Sequence, residues 1–199
     1  GLAAEQEWWQ WPFLVYTVLF AAAAGLLWYR AGRHERPRKR ERESLGVSLR
    51  HVLQKPWPRV VLISVFFEGA AVFCGFAFVA SHLHVAGGLP LTEAGLILAV
   101  FAVGGLSFAL LARRLVPKLG ETGLCQLGCV LIAIALAGIC RWPTPGVAVI
   151  GCYLFGLGFY MLHNTLQTNA TQMAPERRGA AVSLFSTAFF TGQSLGTGI

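Results

Sequence analysis

The sequence predicts an all-α membrane protein, a bundle of transmembrane helices, on three observations: a strongly apolar composition, six apolar runs of bilayer-spanning length, and basic residues gathered between particular runs. Of 199 residues, 55% are hydrophobic and only 13% charged, and the mean hydropathy is +0.60. Soluble domains carry about 25% charged residues. The solvent for most of this chain is therefore expected to be lipid.

The six runs cover roughly residues 12–29, 60–80, 92–112, 122–140, 146–166 and 180–199. Each approaches the roughly 20 residues that a helix needs to cross the hydrocarbon core. The first is framed by Trp8, Trp9 and Trp11 at one end and by Trp28 and Tyr29 at the other, as the aromatic belts of the two membrane interfaces require. Glu5 and Glu7 precede it and the bases follow it, the reverse of a cleaved signal peptide. With no initiator Met, the chain is expected to begin within a longer protein.

Charge is concentrated in one place. The net charge is +7, and the segment from Arg30 to Arg59 holds ten Lys and Arg against Glu35, Glu41 and Glu43, which accounts for all of it. If that linker faces the cytoplasm, alternation of six spans brings Arg113, Arg114, Lys118, Arg177 and Arg178 to the same side. Fifteen of the sixteen Lys and Arg then lie inside, with Arg141 outside. The positive-inside rule accordingly supports the span count as well as the orientation.

Within the linker, Leu45, Leu49, Val52 and Leu53 share a helical face beside Arg50, His51 and Lys55, the pattern of a short amphipathic helix at the inner leaflet. The plainer reading is a solvated topology anchor. Nucleic acid is not an expected partner, because no aromatic stacking platform is interleaved with the charge. All five cysteines lie in or beside apolar runs, and their odd number argues against a disulfide framework. Cys125 and Cys129 are spaced i, i+4 but lack further ligands for a metal, so neither metal nor cofactor is expected.

The stretch from Gly156 to Gly196, GLGFYMLHNTLQTNATQMAPERRGAAVSLFSTAFFTGQSLG, resembles the tenth helix, cytoplasmic loop and eleventh helix of bacterial major facilitator superfamily transporters. Its turn, Pro175, Glu176, Arg177, Arg178 and Gly179, is similar to the loop of the drug and sugar efflux branch. Trp9 to Phe13 resembles the start of the sixth helix, and Gly104 through Arg113 and Arg114 to Gly120 resembles the loop joining helices eight and nine. The basic linker matches the central loop between the halves. The resemblance covers essentially the whole chain. It implies helix six over 1–29, a cytoplasmic central linker over 30–58, and a C-terminal bundle of helices seven to eleven over 59–199, with helices one to five and twelve of the same transporter outside it. It also implies a multi-pass protein of the bacterial inner membrane.

Those motifs also have physical readings. Arg113, Arg114 and Lys118 are suited to bonding the exposed carbonyls of helix C-termini, holding one bundle against another in one gating state. Pro175 ends or interrupts a helix, Gly179, just after Arg178, permits a tight re-entry, and Gly192 with Gly196 forms a GxxxG face for close helix approach.

Polar groups inside the apolar runs are the candidate site. Glu68 lies nine residues past Arg59, about 13 Å along a helix, and a lone carboxylate at that depth must be protonated, paired or facing water. Ser64, Glu68, Ala71 and Gly75 share a face and form a small polar groove. Glu68 reads either as a proton-coupling carboxylate or as a structural acid bonded to a neighbouring helix. Tyr160, His163, Asn164 and Gln167 follow i, i+3, i+4, i+7 spacing. The resemblance turns that stripe toward the substrate cavity, and the alternative is interhelical hydrogen bonding. His82 and His84 read as loop residues with no third ligand nearby. Asn169, Ala170 and Thr171 match a glycosylation acceptor placed on the cytoplasmic side, where it is not used. Thr92 and Glu93 read as the cap and first turn of the third span.

The resemblance implies a secondary transporter that moves a small molecule by alternating access, with proton-coupled efflux the specific expectation and protons and the lipid bilayer as partners. The alternatives are a non-transporting membrane subunit and an inactive truncated fragment. A membrane-embedded enzyme would need Glu68, His163 and the His82/His84 pair to converge, and no catalytic spacing such as HExxH supports one.

Overall fold

The computed structural model describes residues 10–31 and 45–198, which belong to two units divided between Arg42 and Glu43. In the first unit, α1 (Gln10–Ala31) is a 22-residue helix. Its described side chains are exposed, and apolar residues lie on all of its faces. Such a helix suits lipid on every side.

The second unit contains α2 (Leu45–Gln54), α3 (Pro56–Phe76), α4 (Val79–Val85), α5 (Leu91–Arg141), α6 (Pro145–Gln172), a 3-10 turn at Pro175–Arg177 and α7 (Arg178–Thr197). α1, α3 with α4, α5 and α6 are long and apolar enough to cross a membrane. The 51 residues of α5 are two helices joined at Gly120, where φ is 64° and ψ is 177°. Each arm is long enough for one span. α7 has the length but more polar residues, among them Ser183, Ser186, Thr187, Thr191 and Gln193.

The bend in α5 follows from its sequence. Pro117 lies inside the helix and removes the donor that the carbonyl four residues earlier would receive. Three residues on, Gly120 takes a backbone conformation essentially reserved for glycine. Gly120→Ala is expected to destabilise the chain by about 1–3 kcal/mol, read as a lower midpoint of SDS-induced unfolding followed by circular dichroism. An unchanged midpoint would show that the bend does not depend on this backbone.

α6 packs against both arms of α5, and small residues set the approach. A side chain at Gly104 would meet the carbonyl of Tyr153, and one at Gly156 the carbonyl of Phe101. On the second arm, Gly128 and Gly158 each face the other's carbonyl. α3 and α7 form the other close pair. Gly69 abuts the Phe189 carbonyl, Gly192 that of Phe66, and Gly196 that of Ala70, so the Gly192/Gly196 face does bring two helices together.

One apolar cluster, including Val61, Val65, Leu166, Ala170, Ala181 and Phe185, joins α3, α6 and α7. Val52 of α2 is fully buried in the same cluster. α2 therefore docks on the bundle through Val52 and the half-buried Leu49, while Leu53, expected on the same apolar face, stays 42% exposed. Ser48 takes the inward place instead, where its hydroxyl accepts from Arg177 Nη1 at 3.0 Å.

Two further local expectations are corrected. α5 starts at Leu91 with Pro90 in the cap position. Thr92 lies inside the helix, its buried hydroxyl without a partner among the described residues, although Glu93 does occupy the first turn. Gly179 is helical within α7 and is not one of the positive-φ glycines. The chain re-enters through the 3-10 turn that Pro175 opens.

Candidate functional site

Glu68 and His163, 95 residues apart in sequence, meet in the interior of the second unit. α3 directs the carboxyl inward between its contacts with α6 and α7, where the side chain is 1% exposed. Nδ1 of His163, on α6, shares a hydrogen bond with Glu68 Oε2 at 3.2 Å, and the His163 side chain is 19% exposed. The shared proton sits on Nδ1 when Glu68 is ionised and on Oε2 when Glu68 is protonated.

The ring is held on several sides. Phe159, one turn earlier on α6, stacks on it at 5.1 Å and 15°. Phe185 and Phe189, one turn apart on α7, lean on it at 5.7 and 4.8 Å. This aromatic cage fixes the imidazole so that Nδ1 stays aimed at the acid. It was not foreseen from sequence, where Phe159, Phe185 and Phe189 read only as apolar helix.

The second carboxyl oxygen, Oε1, is buried with no hydrogen-bond partner among the described residues. Beside Glu68 lies a cavity of about 550 Å³ between α3, the second arm of α5 and α6, whose walls include Ser64, Phe67, Ala71, Cys129 and Leu166. Ser64, Glu68 and Ala71 therefore form a common wall. Gly75, from the same sequence pattern, packs instead on Leu136 and borders a separate cavity of about 270 Å³ with His82. His84 donates from Nδ1 to the Leu89 carbonyl at 2.7 Å.

The polar stripe of α6 divides. His163 turns to Glu68. Tyr160 packs its ring on Phe101 at 5.8 Å and fills the space that a side chain at Gly105 would need. Asn164 is half-buried and Gln167 exposed, and none of Tyr160, Asn164 and Gln167 lines the cavity beside Glu68. Gly104 lies at a helix crossing rather than in a loop, while Arg113 and Arg114 are exposed near the end of the first α5 arm.

The basic clusters of this unit gather at one end. Glu176, in the 3-10 turn, bridges His51 and Lys55 of α2. Near the α5 bend, Glu121 accepts from Asn169 of α6 at 2.9 Å, so the side chain of the glycosylation motif is engaged within the bundle. Arg178 begins α7 close by. Sequence reasoning missed Glu176 as a clasp because its partners lie more than a hundred residues away.

The Lys55 ammonium holds the Glu176 carboxyl well below its ordinary range, at about 2. A depressed carboxylate contributes stability that is complete above the ordinary value of 4.5 and lost as pH falls toward 2. Glu176→Gln is expected to loosen α2 without unfolding the bundle, read as faster proteolysis within α2 at neutral pH. Proteolysis equal to the wild type would remove the clasp. Because the pair is exposed to solvent, its contribution is also expected to weaken with added salt.

Long apolar helices, glycine-mediated crossings and a buried acid–base pair define a multi-pass α-helical membrane protein. Residues 1–197 match the Major Facilitator Superfamily profile, and the chain belongs to that family, one of transporters rather than enzymes. It is 25% identical over 162 residues to the uncharacterized MFS-type transporter YceJ of Bacillus subtilis (strain 168), an alignment covering 79% of this chain and 40% of the relative. The chain thus spans about 40% of the length of that curated relative. No solved structure matches.

Proposed function

We propose that this chain contributes the C-terminal bundle of a secondary transporter that moves a small molecule by proton-coupled alternating access, in the direction of efflux. The observation that carries the proposal is the Glu68–His163 pair, a titratable acid and base in hydrogen-bonding contact inside apolar helices. Ionisable groups at that depth are expensive to bury and serve proton relays and substrate paths in membrane proteins. Glu68 is the proton-carrying group, and His163 positions its carboxyl and exchanges a proton with it.

In this reading residues 1–29 are the last helix of the other half, residues 30–58 the cytoplasmic linker and residues 59–199 the bundle. The clasp at Glu176 and the bend region with Arg113, Arg114 and Gly120 then lie on the cytoplasmic side of a bacterial inner membrane. Arg178 stands at the start of α7 on that side. Tyr160, Asn164 and Gln167 face the path shared with the other half. The remaining helices of the carrier are the partners that complete the cavity, and the 40% coverage of the relative supports that division.

Uptake of labelled amines and sugars into everted vesicles tests the reading. The chain supplied with the carrier's remaining helices is expected to accumulate one of these compounds, and a protonophore to abolish the accumulation. The chain alone is expected to accumulate none. Accumulation that persists with the protonophore present would overturn proton coupling.

A further inference from the structure

We infer that the outward side of the α2–α3 elbow is a docking surface for the headgroups of anionic phospholipids. The inference is independent of proton coupling and of the substrate; it needs only that α3 crosses a membrane. Chain continuity is its first support. α2 ends at Gln54, and the stretch apolar enough to span begins at Pro56, so Lys55 alone separates the two. The Lys55 backbone is extended, and Pro lies in the first turn of α3. Arg59 closes the elbow, its guanidinium donating to the carbonyls of Leu53 and Gln54 at the end of α2. α2 is thereby tied to the level at which α3 enters the bilayer.

The second support is how α2 divides its sides. The apolar side that its sequence offers to a leaflet is taken up by the bundle, with Val52 fully buried, Ser48 bonded to Arg177, and His51 and Lys55 engaged by Glu176. The other side faces the surroundings. Arg50 is exposed there and pairs with none of the described residues, and Leu53, one turn along, is 42% exposed. Across the elbow, Trp57 and Val60, one turn apart on α3, are 54% and 52% exposed.

A cation beside apolar side chains at the mouth of a span matches the boundary between headgroups and acyl chains. Trp favours that level, and Arg lays its stem along apolar surface while its guanidinium reaches phosphate oxygens. Charge decides which lipid. Glu176 is held by His51 and Lys55 and Glu121 by Asn169, so the counter-charge for Arg50 comes from outside the described bundle. A soluble acidic partner could meet Arg50 but not Val60, which belongs to the apolar run of the span.

Tryptophan quenching in nanodiscs of phosphatidylcholine and phosphatidylglycerol tests the inference. Lipid composition is held constant, and bromine is carried on the acyl chains of one lipid or, in equal amount, of the other. The difference between wild type and Trp57→Phe isolates Trp57. Brominated phosphatidylglycerol is expected to quench it more strongly than brominated phosphatidylcholine. Arg50→Gln is expected to lower that preference by about fivefold, the effect of one basic residue at an anionic surface, and Arg50→Lys to retain most of it. Added salt is expected to lower it in the wild type, a readout that does not depend on the folding of a variant.

Equal quenching by the two lipids would make the elbow a solvated anchor and overturn the inference. Quenching by neither would mean that another part of the protein covers the surface, which overturns it as well. So would a preference that survives Arg50→Gln, or one that salt leaves untouched.

Discussion

Glu68→Gln is expected to abolish gradient-driven accumulation while leaving the protein inserted and folded. Glutamine keeps the size of the side chain and can still accept from His163 Nδ1, so the 3.2 Å contact and the aromatic cage around it survive. What is lost is a group that can take up and release a proton. If substrate and proton are coupled by about 1–3 kcal/mol, uncoupling removes about 5–150-fold of the gradient's effect. Passive exchange of substrate across the membrane is expected to persist, which separates a lost coupling group from a damaged fold. Normal accumulation in Glu68→Gln would make the carboxyl structural.

The His163 side is expected to behave differently. His163→Ala removes the donor to a buried carboxyl and empties the space between Phe159, Phe185 and Phe189. Breaking a buried pair from one side typically costs about 3–5 kcal/mol. This variant is therefore expected to lose stability as well as transport, whereas Glu68→Gln loses transport alone.

Gly192→Leu is expected to have the largest effect on the fold. The backbone of α7 runs so close to α3 at this point that a side chain would strike the carbonyl of Phe66, and Gly196 repeats the approach at Ala70 one turn later. Backbone cannot swing aside as a side chain can, so α3 and α7 must separate. Their separation would open the cluster that contains Val65, Phe185 and Phe189. Forced overpacking typically costs about 1–3 kcal/mol and sometimes more, and a backbone collision belongs at the upper end. A lower SDS unfolding midpoint and faster exchange of amides in α3 and α7 are the expected results. A midpoint equal to the wild type would mean that the two helices do not pack along this face. Because Gly192 and Gly196 lie on one contact, the double variant is expected to cost less than the sum of the singles.

Much of this architecture was legible in the sequence because lipid imposes simple constraints. Run length and composition marked the apolar helices, and the basic clusters anticipated which loops share an end, as the contacts of Glu176 with α2 and of Glu121 with Asn169 bear out for the second unit. The packing buries Glu68, and that it lies within a long apolar helix followed from counting residues past Arg59. Its partner did not, because His163 is brought to it by the packing of α6 against α3 and α7, and a polar stripe on one helix has no way of saying which neighbour each member will meet. The stripe in fact divides, with His163 directed to the acid and Tyr160 to the first arm of α5.

Smaller differences have equally local causes. Gly179 was read as a turn residue because glycine permits unusual backbone, yet the turn is made by Pro175 and its neighbours and Gly179 is helical. Thr92 was read as a cap from residue type, but Pro90 fixes where α5 begins. In α2, hydrophobicity favoured Leu53 for the buried face, whereas the bond from Arg177 draws Ser48 inward.

The central claim is that Glu68 carries the proton that drives transport, and the most direct test is substrate-driven proton flux in proteoliposomes of the complete carrier loaded with pyranine. Adding outside the compound that accumulates in vesicles, with the membrane potential clamped, is expected to change the internal pH in the wild type and to leave it unchanged in Glu68→Gln, although the compound still exchanges. An equal pH change in both proteins would contradict the claim.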